Sequence, residues 1–238
     1  MNEIILKNIA QFRYVPTLAF YDNMFNVAST LEGGDEFEHW RAKRSPDAAL
    51  LFSEKKRSGL NIDSRSITYT TEKLNTNTNM SSQLIKYSTL FLDNSNVATF
   101  NHVGMRRIGI YSTNITYDEY VDKFVNAFLN INSGLPGLIA DKVEDTLYVI
   151  EGIKDGFMTR LRLAPLKQDQ FESHYTPEIF TPKNLLLKKE TNIIVDLDIF
   201  LQNESDNEAA TTNLIAIEKS LEDSYNQLIE LVKKETCR

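Results

Sequence analysis

Hydrophobic positions in this chain recur at two spacings, every second residue and every third or fourth, and the switches between them mark out the elements. The strongest stretch of the first kind runs from Val103 to Tyr111, a β-branched and apolar run that reads as a strand. Along it Met105, Arg107, Gly109 and Tyr111 face one way, and Arg106, Ile108 and Ile110 the other. One arginine therefore lies on each face, and at least one calls for a partner carboxylate, because unpaired buried charge is costly. Gly109 inside the strand signals a bulge or a close backbone approach. The period then changes. Thr116-Tyr-Asp-Glu119 is a capping box, and Tyr117, Tyr120, Val121, Phe124, Val125 and Phe128 form an apolar stripe that predicts a helix over 117–130.

Upstream, Ile4 to Phe20 reads as a strand interrupted at Pro16, and Asn23 to Leu31 as a short helix closed by Gly33-Gly34. Trp40 lies in the polar segment beyond, where it anchors a linker to the core. From Ala48 the alternation predicts an antiparallel meander: Ala49–Phe52, Leu60–Ile62 and Ile67–Thr71, separated by polar turns. The basic run Lys55-Lys56-Arg57 falls on a solvated hairpin tip. Residues 74–82 read as a loop, 83–92 as a further strand with a helix as the alternative, and 93–96 as a turn.

Downstream, Asn132 to Gly137 is the best boundary, dividing an N-terminal half (1–132) from a C-terminal half (138–238) that can pack as one unit. Residues 146–163 predict a β-hairpin turning at Asp155-Gly156, with Arg160 and Arg162 on one face. Residues 165–189 have little period and read as a long connection. Residues 192–201 predict a strand, Ser205 to Glu208 a second capping box, and 208–235 a long helix seamed by Leu214, Ile217, Leu221, Tyr225, Leu228 and Val232. The class is α+β with mostly antiparallel sheets. Each half ends in an amphipathic helix after an apolar strand, the layout of a duplication, although no sequence repeat stands out.

Composition narrows the function. At 238 residues, with 42% hydrophobic and 25% charged residues, the chain is ordinary globular material, and a net charge of −7 argues against nucleic acid as the general partner. A single cysteine, Cys237, allows no intramolecular disulfide and suits a reducing compartment. No apolar run is long enough for a membrane helix, and Met-Asn-Glu-Ile-Ile-Leu-Lys lacks the pattern of a signal peptide, so the expected location is the cytoplasm. No phosphate-binding glycine loop, zinc motif or nucleophile elbow is present. The three histidines, His39, His102 and His174, lie in separate segments without partners that would tune them.

The sharpest chemical candidate is Asp196-Leu197-Asp198. On a strand both carboxylates point to one face while Val195, Leu197 and Ile199 point to the core, so the pair has the spacing to hold Mg²⁺ or to bind arginine. Arg107, Arg160 and Arg162 are the candidate ligand-binding residues and the candidate partners of that pair. Arg107-Ile-Gly-Ile-Tyr111, the helix after it, and Asp196-Leu-Asp-Ile-Phe200 leading to a long terminal helix resemble an uncharacterised, sporadically distributed prokaryotic family. That family carries an Arg-x-Gly-x-Arg-Tyr-x-Asn strand and a Leu-Asp-x-Asp-x-Phe strand. Here no second arginine stands between Gly109 and Tyr111, and Ser112-Thr113-Asn114 stands where the pattern has its asparagine closer to the tyrosine. The resemblance implies a fold and a patchy distribution, which by analogy suits an accessory component of a defence or toxin–antitoxin type system. The missing catalytic vocabulary points first to a non-enzymatic interaction protein, self-associating as a homodimer. The rival reading is a metal-dependent phosphoryl-transfer enzyme or nucleotide binder built on Asp196 and Asp198 with Mg²⁺.

Overall fold

The computed structural model describes residues 1–32, 37–42, 48–72, 79–95, 97–128, 143–167, 170 and 191–236. Among these residues nine strands form one sheet: β1 (Asn2–Tyr14), β2 (His39–Ala42), β3 (Ala48–Ser53), β4 (Ser58–Asp63), β5 (Ser66–Glu72), β6 (Phe100–Thr113), β7 (Tyr148–Lys154), β8 (Phe157–Leu166) and β9 (Thr191–Leu201). Their order is β2-β3-β4-β5-β1-β6-β9-β8-β7, and every neighbouring pair is antiparallel. The helices α1 (Leu18–Glu32), α2 (Met80–Ser95), α3 (Tyr117–Phe128) and α4 (Asn207–Thr236) pack on one face. Alternation decides that face. Ala10 and Phe12 of β1, Met105 and Tyr111 of β6, and Val195, Leu197 and Ile199 of β9 all belong to the main core. Leu214, Ile217, Leu221 and Tyr225 of α4 meet them there. Each large apolar side chain so buried contributes on the order of 2 kcal/mol before entropy is counted.

The α+β class, the meander and the long terminal helix stand as the pattern predicts. Residues 83–92 do not form a strand. They lie in α2, because Met80, Leu84, Tyr87 and Phe91 recur at helical spacing and are buried, while Asn79 caps the start by accepting from the Ser82 N–H at 2.8 Å. The turn at 93–96 is displaced for the same reason, since α2 continues to Ser95. The first helix begins at Leu18, two residues past Pro16, and buries Phe20 and Met24. Trp40 stands in an edge strand rather than a linker, opposite Leu51. β8 runs on through Pro165, where β7 has already ended (Tyr148 opposite Leu163), so proline's missing donor breaks no ladder there. The cap of α4 is Asp206 and not Ser205: the Asp206 carboxylate accepts from the Ala209 N–H at 2.8 Å, while Ser205 bridges to Phe100. Residues 132–137, most of 165–189, His174 and Cys237 lie outside the described residues.

The topology contains a repeat. In the first repeat, running from β1 to α2, the first strand, β1, pairs with the last, β5. In the second, running from β6 to α4, the first strand, β6, pairs with the last, β9, and the two first strands pair with each other, so the repeats divide between α2 and β6, upstream of the boundary expected at 132–137. β1 ends at Tyr14 and α1 starts at Leu18; β6 ends at Thr113 and α3 starts at Tyr117, so both boundaries are displaced by 99 residues. At that offset Leu6-Lys-Asn-Ile-Ala-Gln-Phe12 falls on Met105-Arg-Arg-Ile-Gly-Ile-Tyr111, similar in size and polarity at most positions. The last strands repeat as well: Lys7 opposes Glu72, and its counterpart Arg106 opposes Asp198. A local dyad therefore passes through the centre of the sheet, between Asn8 and Arg107, which face each other in register. The two halves are tied again on the helical side. Glu218 of α4 accepts from the Met80 and Ser81 N–H groups and from Ser81 Oγ at 2.6, 3.2 and 2.5 Å, at the start of α2.

Candidate binding groove on the open sheet face

The face away from the helices carries the even-numbered residues of β6 and β9 and the odd-numbered residues of β1. Asp196 and Asp198 lie there together, as their spacing requires. Their partner is Arg106. Its Nε and Nη2 donate to the two oxygens of Asp196 at 2.7 Å each, a bidentate fork. Asp196 is only 5% exposed. Asp198, directly opposite Arg106, is held largely from water, and burial raises its carboxyl to about 6 against the opposing pull of Arg106.

Of the three arginines singled out by sequence, two lie beside the acid pair and one does not. Arg107 lies on the helical face, donating from Nε to Asn8 Oδ1 at 2.7 Å with its guanidinium 5.4 Å from the Tyr225 ring. There it borders a hollow of about 360 Å³ together with Glu3, Tyr111 and Lys233. Tyr111 donates to Tyr225 Oη at 3.2 Å, and Tyr225 to the Val195 carbonyl at 3.4 Å; burial pushes the Tyr111 phenol up to about 12. Arg160 and Arg162 stand opposite Asp198 and Asp196 in register, as expected of partners on one face; Arg160 pairs with Glu151 at 2.6 Å, and Arg162 shares with Arg106 and Asp196 a hollow of about 490 Å³ beside Leu166 and Asp145. A Mg²⁺ ion on Asp196 would have to displace Arg106. Among the described residues no three of His, Cys, Asp and Glu stand together as a metal set.

Sequence reasoning missed the groove that does form. A cavity of about 350 Å³ crosses β4, β5, β1, β6 and β9, lined by Lys7, Gln11, Arg13, His102, Arg106 and Asp198 over a rim of short polar side chains including Thr68 and Thr70. Gly104 makes its floor: a Cβ there would lie 2.8 Å from His102 Nε2 and 2.8 Å from Phe200 Cβ. His102 stacks on Phe200 with ring centroids 5.3 Å apart. Burial and then Arg13 lower its imidazole to about 4, so it is neutral, and its buried Nδ1 has no hydrogen-bond partner among the described residues. Thr68 Oγ1 accepts from Gln11 Nε2 at 2.8 Å, and Gln11 Oε1 accepts from Arg13 Nε at 2.6 Å, a chain that fixes the arginine. The one signal that could have located this groove is the β1 to β6 repeat, which is readable only once the strands are known to pair.

No protein-family model matches the chain, and no curated protein matches it. Among solved structures, the chain is similar over 97% of both lengths, at 10% identity, to the crystal structure of the di-domain ARO/CYC StfQ from the steffimycin biosynthetic pathway. The TM-score of 0.19 is too low to establish a shared fold.

Proposed function

We propose that the protein is a cytoplasmic binding protein that works by association, and that its first partner is a second copy of itself, joined along β7. The observation that supports this reading is the state of that edge. β7 is seven residues long and ends the sheet order, so one side of it has no neighbouring strand among the described residues. Its apolar side chains stand in water on both faces: Val149 is 47%, Ile150 44% and Ile153 78% exposed. Long edges with exposed apolar residues pair with other chains unless charge, proline or brevity blunts them, and the opposite edge, β2, is four residues long.

The hairpin sets the register. Asp155 and Gly156 both have positive φ, 54° and 84°, the two-residue type I′ turn whose flanking residues Lys154 and Phe157 bond to each other. Counting back by twos, the backbone groups of residues 148, 150, 152 and 154 point at β8, and those of Val149, Glu151 and Ile153 point outward. A dyad normal to the sheet at Glu151 lets all three outward residues pair with their own kind, Val149 of one copy beside Ile153 of the other. Arg160 neutralises each central Glu151 at 2.6 Å. The test is size-exclusion chromatography with light scattering at micromolar concentration. Wild type is expected to run as a dimer and Ile153→Lys as a folded monomer; a wild-type monomer at every concentration tested contradicts the reading.

A further inference from the structure

The local dyad exposes an asymmetry in the open sheet face. Gln11 and Gly104 face each other across β1 and β6. Their counterparts 99 residues away are Ile110 and Ile5, which also face each other. On that side Ile5, Ile110, Ile108 and Leu166 close into a small buried apolar cluster. On the Gln11 side the same place is hollow. One repeat fills the position with two isoleucines, and the other leaves it open with a glycine floor and a glutamine wall. A sheet that needed only stability had the filled solution available in its own other half, since apolar packing there contributes on the order of 1 kcal/mol per methylene buried.

The lining shows what the hollow suits. Asp63 is consumed by its own turn, accepting from the Arg65 and Ser66 N–H groups, Ser66 Oγ and Asn61 Nδ2. Arg106 is matched by Asp196. Among the described residues Arg13 donates to the neutral Gln11 and forms no ion pair with a carboxylate, the Asp198 charge acting on it only across the groove. Beside it lie a neutral imidazole, whose buried Nδ1 has no hydrogen-bond partner among the described residues, and the hydroxyls of Thr68 and Thr70. We infer that this groove binds a small, hydroxyl-bearing organic anion, its carboxylate or phosphate on Arg13, and its hydroxyls among His102, Asp198 and the threonine rim. A volume of about 350 Å³ sits at the small end of ligand sites, enough for a ligand of monosaccharide size.

The test is titration calorimetry at pH 7 with glucose 6-phosphate, gluconate and glucose, paired with ¹H–¹⁵N spectra of the histidine rings. The inference expects heat and a moved His102 resonance with at least one of the two anions, the better binder naming the head group, and neither with neutral glucose. Arg13→Gln is expected to weaken the anion by roughly tenfold or more, as loss of a charge-assisted bond does. Gln11→Ile, which copies the other repeat, is expected to remove binding while the circular dichroism stays native. No heat and no His102 shift with either anion up to about 10 mM, a range in which even millimolar sites saturate, overturns the inference. So does binding that Arg13→Gln leaves unchanged.

Discussion

Asn8 and Arg107 oppose each other at the centre of the sheet, and the Arg107 guanidinium donates from Nε to the Asn8 amide oxygen at 2.7 Å. They occupy the same position in the two repeats, so the hydrogen bond spans the local dyad. Where the repeats differ around them, the difference has a steric cause. Two residues further along, Ala10 in one repeat corresponds to Gly109 in the other. A Cβ on Gly109 would lie 2.0 Å from Tyr225 Oη and 2.6 Å from a Tyr111 ring carbon.

Gly109→Ala therefore forces α4 away from β6 and is expected to cost about 3 kcal/mol or more, at the top of the range for overpacking. Tyr225→Phe in the same chain removes the nearer atom and should return part of that loss. Urea unfolding of the two single variants and the double variant measures the coupling. Additive losses would show that the clash is relieved elsewhere.

Arg106 and Asp196 make the one bidentate ion pair seen on the open face among the described residues. Asp196→Ala leaves a guanidinium that is 39% exposed and so partly rehydrated. The expected cost is about 2 kcal/mol rather than the larger loss of a fully buried pair. Chemical denaturation with an unchanged urea slope checks it. Asp196→Asn should fall between wild type and the alanine variant, because one acceptor survives.

The groove's two titrating groups pull stability in opposite directions. Asp198 is raised from 3.8 to about 6 in the fold, so between those values the native state holds more protons than the unfolded chain, and stability falls as pH rises. His102 is lowered from 6.5 to about 4, so over that window the unfolded chain holds more protons, and stability rises with pH. In wild type the two slopes offset each other between about pH 4 and 6. Asp198→Asn should raise stability at pH 7 by up to about 2 kcal/mol and leave a steeper loss on acidification, whereas His102→Gln should flatten that loss. Thermal melts across pH 4–7 read both, and parallel curves for the three proteins would refute the assignment.

The parts of this fold that rest on local pattern were legible in sequence. The faces of β6 follow from strict alternation, the β7–β8 hairpin from Asp155-Gly156, and α4 from its long apolar seam from Leu214 to Val232. α2 was misread because Leu90, which is exposed, adds an apolar residue off the helical stripe and puts Leu90 and Leu92 at strand spacing, and in a short segment that blurs the period. The acid pair was visible, but its partner was not. Pairing Asp196 with Arg106 needs the register of strands about ninety residues apart, which only long-range contacts specify. The groove was hidden for the same reason, since Gly104, Gln11 and His102 meet only when β1 lies against β6.

Association along β7 is tested most directly by amide exchange at two protein concentrations, read residue by residue. The even-numbered amides from 148 to 154 bond to β8 and should be protected whether the protein is dilute or concentrated. The amides of Val149, Glu151 and Ile153 should be protected at high concentration and exchange freely on dilution, and Ile153→Lys should leave them free throughout. Fast exchange of those three amides at every concentration would contradict pairing through this edge.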